Sequence, residues 1–275
     1  MKFIDKFIAF VDVLGFKSLV EASEAGTGMP LVELLELLEN LGSGDERLNF
    51  GKHGPTCCPN SSYLQRNLDF RVTQISDCVI VSAEISPAGL INLIHHCWGA
   101  TMMLLKLGIM CRGYITQGTI YHTEKHVIGS GYQNAYAAES AVSFKRAADE
   151  RGTPFVELDR AVYDYVQQCQ DNCVTEMFSR FVRREGEAAA LFPFQALSHS
   201  FLVSGDRKFN PQEERRANQD TRLMLKRVRT RVMDFIDPSS PSAIQKAAHY
   251  LSAIDAQLIV CDKKDEEIEA LTSPI

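Results

Sequence analysis

The chain has 275 residues, enough for one large or two small domains with a well-buried core. Hydrophobic residues make up 45% and charged residues 23%, which excludes a disordered or collagen-like chain. With 29 Lys and Arg against 35 Asp and Glu, the formal charge of −6 argues against a mainly electrostatic nucleic-acid binder but leaves room for a local basic patch.

No apolar run approaches the roughly 18 residues needed to cross a bilayer. The opening MKFIDKFIAFVDVLGF has an acid inside its apolar stretch and no small-residue cleavage site, so a cytoplasmic protein with no membrane partner is expected. The eight cysteines form no CxxC pair and are expected to be reduced, mostly structural thiols. Zinc held by Cys57, Cys58, Cys169, Cys173 and the His95-His96 pair is disfavoured, because adjacent cysteines chelate poorly and no spacing matches a known site.

In chain order, residues 3–13 read as a buried strand that ends in Asp12 and is followed by a turn at Gly15. Two helical segments follow between Phe16 and about Leu41, broken near Gly26–Pro30. Residues 42–62 concentrate Gly, Pro, Asn and Ser and are expected to form an exposed insertion. DFRVTQISDCVIVSAE predicts two strands meeting in a tight turn around Ile75-Ser76-Asp77.

Residues 87–107 predict a buried helix, with apolar side chains recurring at three and four, and 111–122 a strand. The Gly129-Ser-Gly131 turn then opens an Ala-rich helix from about Tyr132 to Glu150, and Phe155–Leu158 returns as a strand. This order predicts an α+β fold, an antiparallel sheet covered by helices, over residues 1–205. Residues 206–275 predict a C-terminal helical extension: a basic segment, a break at Pro238-Ser-Ser-Pro241, an apolar helix and an acidic tail. The basic run RLMLKRVRTR over 222–231 is expected to be a solvated helix face pairing with acidic segments at 262–267 or 213–214, in preference to a nucleic-acid contact.

Two carboxylates stand at strand ends, Asp12 and Asp77. Like charges brought together in low dielectric stay ionised only with a cation between them, so the pair predicts a divalent metal. The alternative is that each acid caps a helix or faces water.

Taken in order, FVDVLGF, ISD, RGYITQG and the G-then-helix segment with AYxxE resemble the class III nucleotide cyclases over residues 5–165, and within them the Pycsar pyrimidine cyclases of bacterial antiphage defence. The resemblance implies a homodimer with interfacial active sites and two Mn2+ or Mg2+ ions. It implies conversion of UTP or CTP into 3′,5′-cyclic UMP or CMP plus pyrophosphate, with a separate effector that senses the product. It assigns metal binding to Asp12, Asp77 and the Val13 carbonyl, and phosphate binding to the amides of Leu14, Gly15 and Phe16.

Departures from the purine-specific members matter as well. Thr73 stands where those enzymes carry a base-reading lysine, so Thr73 is the candidate for contacting uracil or cytosine. The helix Asn and Arg expected after the glycine turn fall on Gln133 and Ala137, or on Asn134 and Ala138 in a register shifted by one. Asn134 is thus a candidate ribose contact. No arginine is in place, and Arg112, Lys145 and Arg146 are the cations available to stabilise developing charge, with Arg112 preferred. Two other readings remain open: a catalytically silent module that binds a nucleotide or a partner, and a purine cyclase.

Overall fold

The computed structural model describes residues 2–39, 41, 67–194 and 209–272. The expected insertion at 42–62, with Cys57 and Cys58, lies outside them. The chain divides into two compact units, Met1–Leu104 with Ile109–Pro193, and Leu105–Gly108 with Phe194–Ile275.

The first unit is an α+β fold on a mostly antiparallel sheet. Its strands are β1 (Ile4–Val13), β2 (Arg71–Ile75), β3 (Cys78–Glu84), β4 (Cys111–His122), β5 (Val127–Ile128), β6 (Val156–Leu158), β7 (Val182–Glu185) and β8 (Ala188–Leu191). They run in the order β2-β3-β1-β4-β6-β8-β7, with β5 paired to β4 and only β4–β6 parallel. β1 lies central because both its faces are apolar: Phe7, Ala9, Val11 and Val13 are buried on one, Ile8 and Phe10 on the other.

Helices α1 (Phe16–Glu24) and α2 (Leu31–Glu39) follow β1, separated by the Gly26–Pro30 break as the sequence predicts. Helix α3 (Pro87–Lys106) buries Leu90, Leu93, Ile94, Cys97 and Leu104. It is the one helix among the described residues long and apolar enough to cross a membrane, which departs from the expectation that no run reaches that length; most of it is buried inside the protein, as in a core helix.

Helix α4 (Ser130–Glu139) packs on β1 and β4, with Ala135 and Tyr132 against Phe10, Ile8 and Ile80. It stops at Glu139 instead of continuing to Glu150. The amides of Ser143 and Phe144 are taken by the Glu157 carboxylate, and Lys145 adopts a φ of 58°, so the chain cannot stay helical there. Helices α5 (Arg160–Gln168) and α6 (Asn172–Ser179) and the β7–β8 hairpin complete the unit. α5 and α6 begin at Asp159 and Asp171, whose side chains accept from the Ala161 and Val174 amides.

Cys173 is disulfide-bonded, against the expectation of reduced thiols, whereas Cys78, Cys97, Cys111, Cys169 and Cys261 are free. His95 packs against Phe181 and His96 against Phe70.

The second unit is built on two long helices, α7 (Pro211–Phe235) and α8 (Pro241–Thr272), packed on each other. Asn210 caps α7 by accepting from the Gln212 and Glu213 amides. Leu225, Val228 and Val232 are buried, as are Ala247, Tyr250 and Ile254. The acidic stretch expected as a tail continues α8 and pairs with the basic helix, Arg222 bonding Asp262 and Asp265; Arg229 pairs with Asp255, earlier on α8.

Candidate functional site

The site forms where β1 ends. Asp12 is the register partner of Cys78 on β3 and of Arg112 on β4, so all three project from one side of the sheet. Asp77 sits in the two-residue turn between β2 and β3, and its carbonyl accepts the Val13 amide at 3.1 Å. That bond ties the hairpin turn to the end of β1 and brings the two sequence-predicted acids to one place. Ser76, next to Asp77, holds a left-handed φ of 53°, a conformation that costs a non-glycine residue energy and is common at functional turns.

Electrostatics mark the cluster. Burial, then the negative charges of Asp77 and Glu139, push the Asp12 carboxyl up to about 7, against the opposing pull of Arg112 and a hydrogen bond with the Val13 backbone. Burial and the same two aspartates raise the Cys78 thiol to about 11, which keeps it protonated; its Sγ donates to the Ile75 carbonyl at 3.1 Å.

The turn after Val13 supplies a second element. Leu14 donates its amide to Met110, and Gly15, at φ 77°, precedes α1 without a side-chain cap. The left-handed φ favours glycine there, and an uncapped helix start presents backbone N–H groups to an anion. Leu14 and Phe16 are half-buried beside it.

The remaining candidates are less well gathered. Arg112 is in the cluster but ion-paired to Glu139, the two side chains being 16% and 10% exposed. Thr73 lies two strands from Asp12, opposite Ile80, and its hydroxyl is 2.9 Å from His122 Nε2. Asn134 is exposed on the side of α4 away from the Tyr132, Ala135 and Glu139 stripe that faces the sheet, so this chain does not bring it to the acids. Lys145 pairs with Glu185 at 3.2 Å and lies over the Phe192 ring, and Arg146 is exposed.

Sequence reading missed Glu139 as a member of the site. The glutamate of AYxxE was its only visible trace, and nothing local says that it meets an arginine on β4. It also missed His122, whose ring is held between Ser82 Oγ at 2.8 Å and the Thr73 hydroxyl, and whose pKa burial and the Lys6 and Arg71 charges lower from 6.5 to about 4.

Carboxylate and carbonyl oxygens are hard donors that suit Mg2+ or Mn2+. Among the described residues no group of three or more His, Cys, Asp or Glu is arranged to hold an ion by itself. Two acids and a backbone carbonyl fit a cation that takes its other ligands from water and phosphate oxygens, as Mg2+ commonly does. Neither a scan against protein-family models nor a search of the curated proteins finds a match for this chain.

Proposed function

We propose that the protein is a cytoplasmic, metal-dependent pyrimidine nucleotide cyclase. It converts UTP or CTP into 3′,5′-cyclic UMP or CMP plus pyrophosphate, as the signal generator of an antiphage defence system. The single observation that carries the reading is the convergence of Asp12 and Asp77 beside the uncapped start of α1, with burial and then like charge raising the Asp12 pKa.

In the reaction, the ribose 3′-oxygen bonds to the α-phosphorus, the bond from that phosphorus to the bridging oxygen breaks, pyrophosphate departs, and the 3′-hydroxyl proton passes to solvent. When bound, two Mg2+ or Mn2+ ions supply the Lewis acidity that makes the 3′-hydroxyl a better nucleophile and neutralises the triphosphate. Asp12, Asp77 and the Val13 carbonyl hold those ions, and their fixed charge and position constitute the chain's own contribution. The amides of Gly15 and Phe16 orient phosphate oxygens at the start of α1, whereas that of Leu14, expected to join them, is engaged by the Met110 carbonyl. Arg112, cross-strand from Asp12, offsets charge developing on the transferred phosphoryl group.

Thr73 contacts the base and Asn134 the ribose. Because α4 carries Asn134 on its outer side, its contribution goes to the site of a second copy, in keeping with a homodimer whose active sites lie at the interface. A separate effector senses the diffusible product.

Incubation with each of the four nucleoside triphosphates and Mn2+ tests the reading. Cyclic UMP or cyclic CMP is expected, and at least about a hundredfold less of it from Asp12→Ala. Cyclic AMP or GMP would instead identify a purine cyclase, and product from none of the four would end the enzyme reading.

A second reading, a catalytically silent module that binds a nucleotide or a partner, is favoured by one observation. Arg112 and Thr73 are already engaged, with Glu139 and His122 respectively. Nucleotide binding without turnover in the same samples would select it.

A further inference from the structure

Asp12 and Arg112 are direct register partners on β1 and β4, with side chains on the same side of the sheet. Opposite charges so placed pair by default. An arginine closed onto Asp12 would satisfy the carboxylate and take the place of a cation. Arg112 does not do this: its Nε donates to Glu139 Oε1, on the last residue of α4, and its ion pair is with Glu139.

Packing fixes where Glu139 stands. Tyr132, Ala135 and Glu139 fall on one stripe of α4, and the first two seat against Phe10 and Ile80. Gly131 and Gly118 let the helix approach closely, since a Cβ on Gly131 would lie 2.3 Å from Ile8 Cδ1 and 2.9 Å from the Gly118 carbonyl carbon. At the other end of the guanidinium, Gly152 leaves room, because a Cβ there would meet Arg112 Nη1 at 3.3 Å. The guanidinium is thus drawn to α4 by a carboxylate whose helix cannot shift.

We infer that Glu139 is a positioning residue: by holding Arg112 on α4 it keeps the arginine off Asp12 and leaves that carboxylate open to a divalent cation. The inference rests on the metal reading of Asp12 and Asp77. Three carboxylates and one guanidinium leave the cluster net negative, which favours a cation. Loss of Glu139 both removes charge and frees the arginine to close on Asp12.

The test is Mn2+ binding to the full chain without nucleotide, followed by electron paramagnetic resonance of the free ion, so that turnover plays no part. Wild type is expected to bind and Asp12→Ala to lose binding. Glu139→Gln should weaken binding about tenfold or more, the scale of losing a residue that orients a ligand. Glu139→Asp, which keeps the charge but shortens the reach, should weaken it in the same direction. The double variant Arg112→Ala/Glu139→Gln should return to within about threefold of wild type, because the arginine that would close on Asp12 is gone.

Wild-type affinity in Glu139→Gln overturns the inference. So does a double variant as weak as Glu139→Gln, which would mean that the helix is merely disturbed. Wild-type affinity in Glu139→Asp alongside a weak Glu139→Gln reduces Glu139 to a distant charge and overturns its positioning role. Absence of binding in wild type, or unchanged binding in Asp12→Ala, overturns the metal reading itself and this inference with it.

Discussion

The two ends of β1 treat charge in opposite ways. Near its start, Lys6 is 2% exposed, yet its ammonium reaches the Asp69 carboxylate at 2.7 Å and the Asp69 carbonyl at 3.2 Å. Across the sheet from it, His122 is bonded through both ring nitrogens, to Ser82 and Thr73. At the far end, Asp12 projects from the same side of the strand, but burial and the charges of Asp77 and Glu139 raise its pKa, and Arg112 beside it is committed to Glu139. Buried charge that is fully paired reads as architecture, because every donor has its acceptor and nothing is left for a ligand. Buried charge left among its own kind is costly, and a functional role is the usual reason that a fold tolerates it.

Experiments on each end can break or sharpen this contrast. The largest effect is expected at the acidic end. Asp12→Ala or Asp77→Ala should reduce cyclic nucleotide formation at least about a hundredfold, the scale of removing preorganised electrostatic stabilisation, as measured by product chromatography with Mn2+. Residual activity near wild type in Asp77→Ala would remove that acid from the site.

Next comes acid sensitivity at His122. Its folded pKa, about 4, lies below the ordinary 6.5, so the folded state holds fewer protons; the stability is complete above 6.5 and is lost as pH falls toward 4. The loss should reach up to ~3 kcal/mol in denaturant titrations across that window. His122→Gln should flatten the slope, and an unchanged slope would assign it to other groups.

Lys6→Ala should cost about 2 kcal/mol, below the usual cost of breaking a buried pair because Asp69 can still reach water. Lys6→Met, which keeps the apolar stem, should cost clearly less in the same denaturant titrations. Equal losses would show that Lys6 matters through packing and not through charge.

The smallest effect has the opposite sign. Asp12 is raised in the folded state, so its contribution is present at acid pH and is lost as pH rises from 3.8 through about 7. Asp12→Asn in the presence of a chelator should therefore stabilise the protein at about pH 8 by ~1 kcal/mol, discounted for a carboxyl that is only partly buried, and by less at about pH 5. Thermal denaturation at the two pH values measures it. A variant that gains stability while losing product would separate the two ends of β1 into architecture and function.

Much of this was legible from residue order alone. Apolar alternation and crowding predicted β1 and the β2–β3 hairpin, the turn residues placed Asp77 at its tip, and the three-and-four spacing over 87–107 predicted α3. These are local signals, because a strand or a helix announces its period in its own residues. The β7–β8 hairpin gave no comparable signal: AAAL over 188–191 has little β propensity and becomes a strand only by pairing with Val182–Glu185 and with β6. The end of α4 was equally hidden, since it depends on Glu157 of another strand claiming the Ser143 and Phe144 amides.

Residue order by itself determined the α+β class, the strand that ends in Asp12, and the turn that carries Asp77. Tertiary structure alone decided that the two acids share a strand end, that Arg112 turns to Glu139 and away from Asp12, and that Thr73 bonds His122 while Asn134 faces outward. The reason is physical. A side chain's period is set by its neighbours along the chain, whereas its charge state and partner are set by whatever the sheet register and helix packing bring within a few ångströms, and those contacts join residues far apart in sequence.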